Sequence, residues 1–180
     1  MSVIDSLTAR NAAFADSGFS PDLKIMPTKK TMILACVDPR ADPVDIFGLE
    51  PGEAAVIRNV GGRVDPNTLR TMALLRGVVN VRSRGGDIGS DWNFIVLHHT
   101  DCGIGDCQLH APDMLAKHMG TDVAGLDALA IRDPYAAVKL DIAALQANPN
   151  TPPGLNVTGM VYDVATGKVE VVVPTVVLHA

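Results

Sequence analysis

Thr31-Met-Ile-Leu-Ala-Cys36 is a short apolar run that closes on a cysteine. Phe94-Ile-Val-Leu-His-His-Thr-Asp-Cys102 repeats the pattern, with two histidines at the end of the run and a cysteine just beyond. Runs this short and apolar read as buried strands. In an α/β sheet, functional groups gather beyond the carboxyl ends of the strands. If the two strands are neighbours, Cys36, His99 and Cys102 meet at one edge. Two sulfurs and an imidazole suit Zn²⁺, and three protein ligands leave a fourth position open, the pattern of a catalytic rather than a structural zinc. Asp38 and Arg40 follow the first cysteine and place a carboxylate and a guanidinium beside the metal.

The flanking sequence supplies the rest of an α/β layout. Val3 to Phe14 carries apolar residues at near-helical spacing without Pro or Gly, which predicts an amphipathic helix that must pack on its own core or on a partner subunit. Val44 to Leu49 reads as a helical turn stopped by Pro51-Gly52, and Ala54 to Arg58 as a second strand. Asp65-Pro66 opens a helix through about Val79. Arg82 to Asp91 reads as a surface loop, with Trp92 beside it on the surface. Asn93 to Leu97 is the third strand. Gly103 and Gly105 break the chain, and a short helix follows around Pro112–Met119. Asp133-Pro134 opens a helix with Tyr135, Val138, Ile142 and Leu145 on one face. Leu155 to Tyr162 and Lys168 to Val173 flank Asp163-Val-Ala-Thr-Gly167 as a hairpin. Strands separated by helices predict one α/β domain over residues 1–180, with a mainly parallel central sheet flanked by helices and an N-terminal helical arm over residues 1–20.

Composition narrows the function classes. The chain has 180 residues, 47% of them hydrophobic, enough to bury a core. Its net charge of −5 and the lack of a Lys/Arg run argue against nucleic acid as a partner. No apolar stretch reaches the roughly 20 residues that a membrane span needs. Met1-Ser-Val-Ile-Asp-Ser6 does not read as a secretory signal. Three cysteines cannot all pair within the chain, which fits a reducing, cytoplasmic setting with thiols free for metal or catalysis.

Cys-x-Asp-x-Arg at 36–40, Arg58-Asn-x-Gly61 and His99-x-x-Cys-Gly103 occur in order, with Glu50-Pro-Gly-Glu53 and Gly159-Met-Val-Tyr-Asp163 around them. Together they resemble the β-class carbonic anhydrases over most of the chain. The resemblance implies a zinc ion on Cys36, His99 and Cys102, with Asp38 paired to Arg40. It implies reversible hydration of CO₂ to bicarbonate and a proton, and a homodimer or homotetramer whose N-terminal helix lies on the neighbour. It also implies a closed state in which Arg40 releases Asp38 to the zinc. Gly61, Gly103 and Met26 are expected at the substrate pocket. In physical terms, Arg40 keeps Asp38 ionised, and Asp38 orients the nucleophile by accepting its hydrogen.

Three positions depart from the common family pattern. His98 replaces a frequent Gly and is a candidate proton shuttle, against a packing role. Met26 stands where plant-like members carry a Gln, which leaves the pocket more apolar. That keeps open carbonyl sulfide or carbon disulfide hydrolysis on the same zinc scaffold, with a non-catalytic zinc-binding protein as a third reading. Ile33 replaces the Trp of members regulated by bicarbonate, so no such site is expected. Cys107 reads as a bystander thiol, Arg58 as a structural ion-pair partner, and His118 as a solvated helix residue.

Overall fold

Neighbouring residues of the first strand face opposite ways, and both faces are buried. In the computed structural model, which describes residues 1–89 and 91–179, Met32 and Leu34 join the main core while Ile33 and Ala35 join a second apolar cluster behind the sheet. A strand buried on both sides needs an unbroken apolar run, and that explains Thr31–Cys36.

The sheet contains β1 (Thr31–Cys36), β2 (Ala54–Asn59), β3 (Asn93–His99), β4 (Asn156–Asp163) and β5 (Lys168–Val177). Their order is β2-β1-β3-β4-β5. All pairings are parallel except β4 with β5. That antiparallel edge is the expected hairpin, turned by Gly167 at φ +71° with Asp163 accepting from the amide of Ala165 at 2.9 Å. The chain leaves β1 toward β2 on one side and returns to β3 on the other, so the β1/β3 boundary is a topological switch point.

The helices are α1 (Val3–Ser17), α2 (Pro43–Phe47), α3 (Pro66–Arg82), α4 (Ile104–His110), α5 (Pro112–Met119) and α6 (Pro134–Ala147). Asp65 and Asp133 cap α3 and α6, and each is followed by a proline at the first helical position, as the sequence predicted. From α6, Val138, Ile142 and Leu145 enter the core beside Phe94, Val96, Val157 and Val161. Tyr135 leaves that stripe and is exposed.

Two local expectations fail and one element is unannounced. Gly103 and Gly105 do not end regular structure: Gly103 caps α4 and Gly105 lies in its first turn. Ala124–Leu129 forms a 3₁₀ segment that the sequence pattern did not announce. Trp92 and Ile88 are buried at 4% and 2% exposure, because the loop before β3 folds its apolar residues under the sheet. Ser90, within the expected surface loop, lies outside the described residues. Among the described residues, no helix is long and apolar enough to cross a membrane.

Candidate metal centre

Parallel pairing of β1 and β3 sets Ala35 opposite Leu97, so Cys36 and His99 emerge at the same end of the sheet. The chain then turns through Asp101, a non-glycine residue at φ +55°, which brings Cys102 back toward the strand ends. One ligand atom each from Cys36, His99 and Cys102 lies within 4.8 Å of the others, and the two sulfurs are 3.8 Å apart. The sequence expectation that these residues converge at a strand edge holds in the geometry.

The donor set fits a zinc ion. His99 Nδ1 lies 2.8 Å from the Thr100 carbonyl, which only accepts, so Nδ1 carries the proton and Nε2 keeps its lone pair. That Nε2 is buried without a hydrogen-bond partner. A partnerless imidazole nitrogen beside two cysteine sulfurs is the soft donor arrangement of zinc. The Cys36 thiol is brought down to about 4, chiefly by the hydrogen bond from Cys102, with further help from the amides of Asp38 and Gly61. Cys102 is pushed up by the same contact. One proton thus holds two sulfurs together, and a dication in its place would let both ionise.

Asp38 caps the 3₁₀ turn Pro39–Ala41 and accepts from the Arg40 amide at 2.9 Å. Arg40 Nη2 donates to Asp38 Oδ2 at 2.7 Å, and Nε reaches Oδ1 at 3.1 Å. The Arg40 side-chain hydrogen bond holds the Asp38 carboxyl down to about 2. Its Oδ2 lies 3.9 Å from His99 Nε2, so the charge faces the Cys36–His99–Cys102 cluster. Arg40 also donates from Nη1 to Asp101 Oδ2 at 2.8 Å and from Nη2 to the Asp101 carbonyl at 3.0 Å. The arrangement present is the one in which Arg40 holds Asp38. Asp101 was missed in the sequence; its signal was its place between two ligands.

The other expected residues divide. Gly61 donates its amide to Cys36 Sγ at 3.3 Å and must be glycine, since φ is +84° and a Cβ would stand 2.5 Å from Ile104 Cδ1. It lines a cavity of about 210 Å³ with His98, His99, Cys102 and Arg132. Gly103 is the N-cap residue of α4 and is not among the residues that line this cavity. Met26 is placed at the opposite end of the sheet, packed on the core in a hollow with Trp92 and Lys30. The segment before β1 meets the amino ends of the strands, so within one chain Met26 does not border the ligands. His98 is 2% exposed and lies 3.0 Å from Asp141 by Nε2, a placement that favours packing over a shuttle open to solvent. Ile33 is buried in the cluster behind the sheet.

Arg58 is a structural partner, bonded to Asp42 at 2.6 Å and to the carbonyls of Cys36 and Asp38. His118 is not freely solvated, since its Nε2 lies 3.1 Å from buried Asp65. Cys107 packs in the cluster of Ile104 and Leu115, and all three cysteines are free. Asp141 was also missed. Its signal was an acid on the buried stripe of α6, between Val138, Ile142 and Leu145.

Known proteins share this arrangement of elements. A family model described as carbonic anhydrase matches residues 31–169. Beta-carbonic anhydrase 1 of Mycobacterium tuberculosis is 33% identical over 178 residues, covering 97% of this chain and 100% of that protein. The crystal structure of a carbonic anhydrase from Streptococcus mutans superposes with a TM-score of 0.72 at 31% identity, covering 96% of this chain and 98% of that one. A carbon disulfide hydrolase of Saccharolobus solfataricus is 30% identical over 83 residues, 46% of this chain and 36% of that protein.

Proposed function

The chain belongs to the β-carbonic anhydrase family, and from that premise we propose that it hydrates CO₂ reversibly to bicarbonate and a proton. The reading is carried by one observation: the partnerless Nε2 of His99 faces two cysteine sulfurs, with the Asp38 carboxylate 3.9 Å away. In this reading Cys36, His99 and Cys102 hold zinc, and Asp38 and Arg40 are the catalytic pair. Bound zinc supplies a Lewis acid that lowers the pKa of a coordinated water toward ~7.

The chain's own residues do the rest. Asp38, kept ionised by Arg40, can only accept a hydrogen bond, so it orients the attacking water by its hydrogen and turns the oxygen lone pair toward carbon. Arg40 is locked between Asp38 and Asp101, which holds the carboxylate in one rotamer. Two sulfur donors with amides aimed at Cys36 spread the negative charge of the ligand set.

Self-association is part of the same proposal. Residues 1–20 form an arm outside the α/β body of a single domain. Its helix α1 buries none of its residues and exposes Val3, Ile4, Leu7 and Phe14, an apolar face that suits a homodimer or homotetramer. Free, sparse cysteines support a cytoplasmic setting.

Stopped-flow CO₂ hydration run beside a sulfide-release assay with carbonyl sulfide and carbon disulfide tests the substrate on zinc-replete protein. Hydration without sulfide release is expected, because Met26, the residue that favoured an apolar pocket, lies away from the ligands of its own chain. Sulfide release with negligible hydration would overturn the assignment.

A further inference from the structure

Beside the ligand set lies a second polar cluster, and it is fully buried. Asp141 on α6, Arg63 and His98 are 4%, 2% and 2% exposed. Asp141 Oδ2 accepts from Arg63 Nε at 2.9 Å, from the Val64 amide at 3.1 Å and from His98 Nε2 at 3.0 Å. Its Oδ1 accepts from Arg63 Nη2 at 3.1 Å. Burying such groups is costly, and a well-packed apolar substitute is often as stable, so stability alone does not account for the cluster.

Its attachments lead to the ligands on two sides. His98 directly precedes His99 at the end of β3. Arg63 and Val64 continue the loop whose Gly61 amide donates to Cys36 Sγ. That loop lies hard against β1, since a Cβ at Gly62 would stand 2.9 Å from the Cys36 amide nitrogen. Asn59 fixes the same loop at its base, accepting from the Arg63 amide at 2.9 Å and donating to the Arg63 carbonyl at 2.8 Å. Asp141 is therefore one carboxylate on one helix that holds the backbone next to two different ligands.

We propose that Asp141 is a positioning residue for the metal centre: it fixes His99 through His98, and the amide aimed at Cys36 through Arg63 and Val64. The proposal rests on the reading of Cys36, His99 and Cys102 as zinc ligands. Asp141 does not line the cavity beside the ligands, while Arg63 and His98 do, so its influence passes through these two side chains. A carboxylate only accepts, so the His98 ring presents a protonated Nε2 to it and is held in one orientation. The Cys36 sulfur in turn keeps a fixed amide donor, which tunes its strength as a ligand.

The test uses Asp141→Asn and His98→Phe in the full chain, with Arg76→Ala as a control that breaks only the Arg76–Asp87 pair at the surface. His98→Phe leaves the Arg63–Asp141 pair intact, so it reports even if Asp141→Asn fails to fold. The readouts are the rate at which zinc passes to a chelator and the visible spectrum of the cobalt-substituted protein. Zinc release about 10–100-fold faster and a displaced cobalt band are expected for the cluster variants, with the control unchanged. Release within about twofold of the parent and an unmoved cobalt band in His98→Phe would overturn the proposal, because loosening of the fold alone leaves the ligand field as it was. A parent chain that takes up no stoichiometric zinc would instead overturn the ligand reading.

Discussion

At the scale of single residues, Asp38 is set by its neighbour. The hydrogen bonds from Arg40 hold its carboxyl near 2, so it stays a pure acceptor across neutral pH. Asp38→Ala should retain zinc, because the ligands are untouched, and lose turnover by about 10²–10⁴-fold in stopped-flow hydration. Parent-like turnover would remove Asp38 from the mechanism. Cys36→Ser replaces a sulfur that receives two amide hydrogen bonds with a hydroxyl that does not ionise. Metal analysis should show zinc well below one equivalent, and a full equivalent would refute the ligand assignment. The convergence of Cys36, His99 and Cys102 was legible because each closes an apolar run or follows one closely. Asp141 was not, since its partners Arg63 and His98 lie 78 and 43 positions away and no periodicity links them.

Among elements, legibility followed local chemistry. α3 and α6 declared themselves by Asp-Pro caps, whose first-turn bonds form within a few residues. α4 did not, because two glycines read as breakers and the packing of Ile104 against Leu115 and Leu126 overrides that preference. Met26 shows a related limit: a motif position says nothing of which end of the sheet its segment meets, and within its own chain Met26 lies in the hollow with Lys30 and Trp92. α1 is the opposite case. Its capping box, Ser2 with Asp5, fixes its start from local bonds, yet no tertiary contact buries any of its residues. A helix of this length is marginal alone in water, so its apolar face should be covered by a second copy. Deleting residues 1–18 should lower the molar mass seen in sedimentation equilibrium while far-UV dichroism keeps the signal of the remaining body. An unchanged oligomer would assign the contact to another surface.

For the whole molecule, α/β character and parallel strands followed from buried runs between helices, but the order β2-β1-β3-β4-β5 came only with tertiary pairing. That order puts both ligand-bearing strands at the switch point and α6 across β3 and β4, so the Asp141 cluster becomes a bridge between layers. Its burial pushes the Asp141 carboxyl up, and the hydrogen bond from His98 and the charge of Arg63 outweigh this, leaving it below the usual value. A carboxyl whose folded pKa is depressed contributes stability that is complete above its unfolded pKa of about 3.9 and disappears as pH falls through the folded value. Asp5, Asp38, Glu53, Asp87, Asp91 and Asp163 shift the same way, but they are more exposed and better screened, so Asp141 should dominate among the carboxyls. Urea unfolding of zinc-loaded and zinc-free protein separates this from metal loss, since proton-driven release of the metal acts only on the loaded form, and the same measurement on Cys36→Ser removes the depressed thiol from the zinc-free form. Both forms should lose stability below pH about 4, with unfolding free energy falling as protons bind the unfolded chain more than the folded one. Stability that stays level or rises on acidification from about pH 5 to 2 would mean that the buried carboxylate is not held ionised by Arg63 and His98.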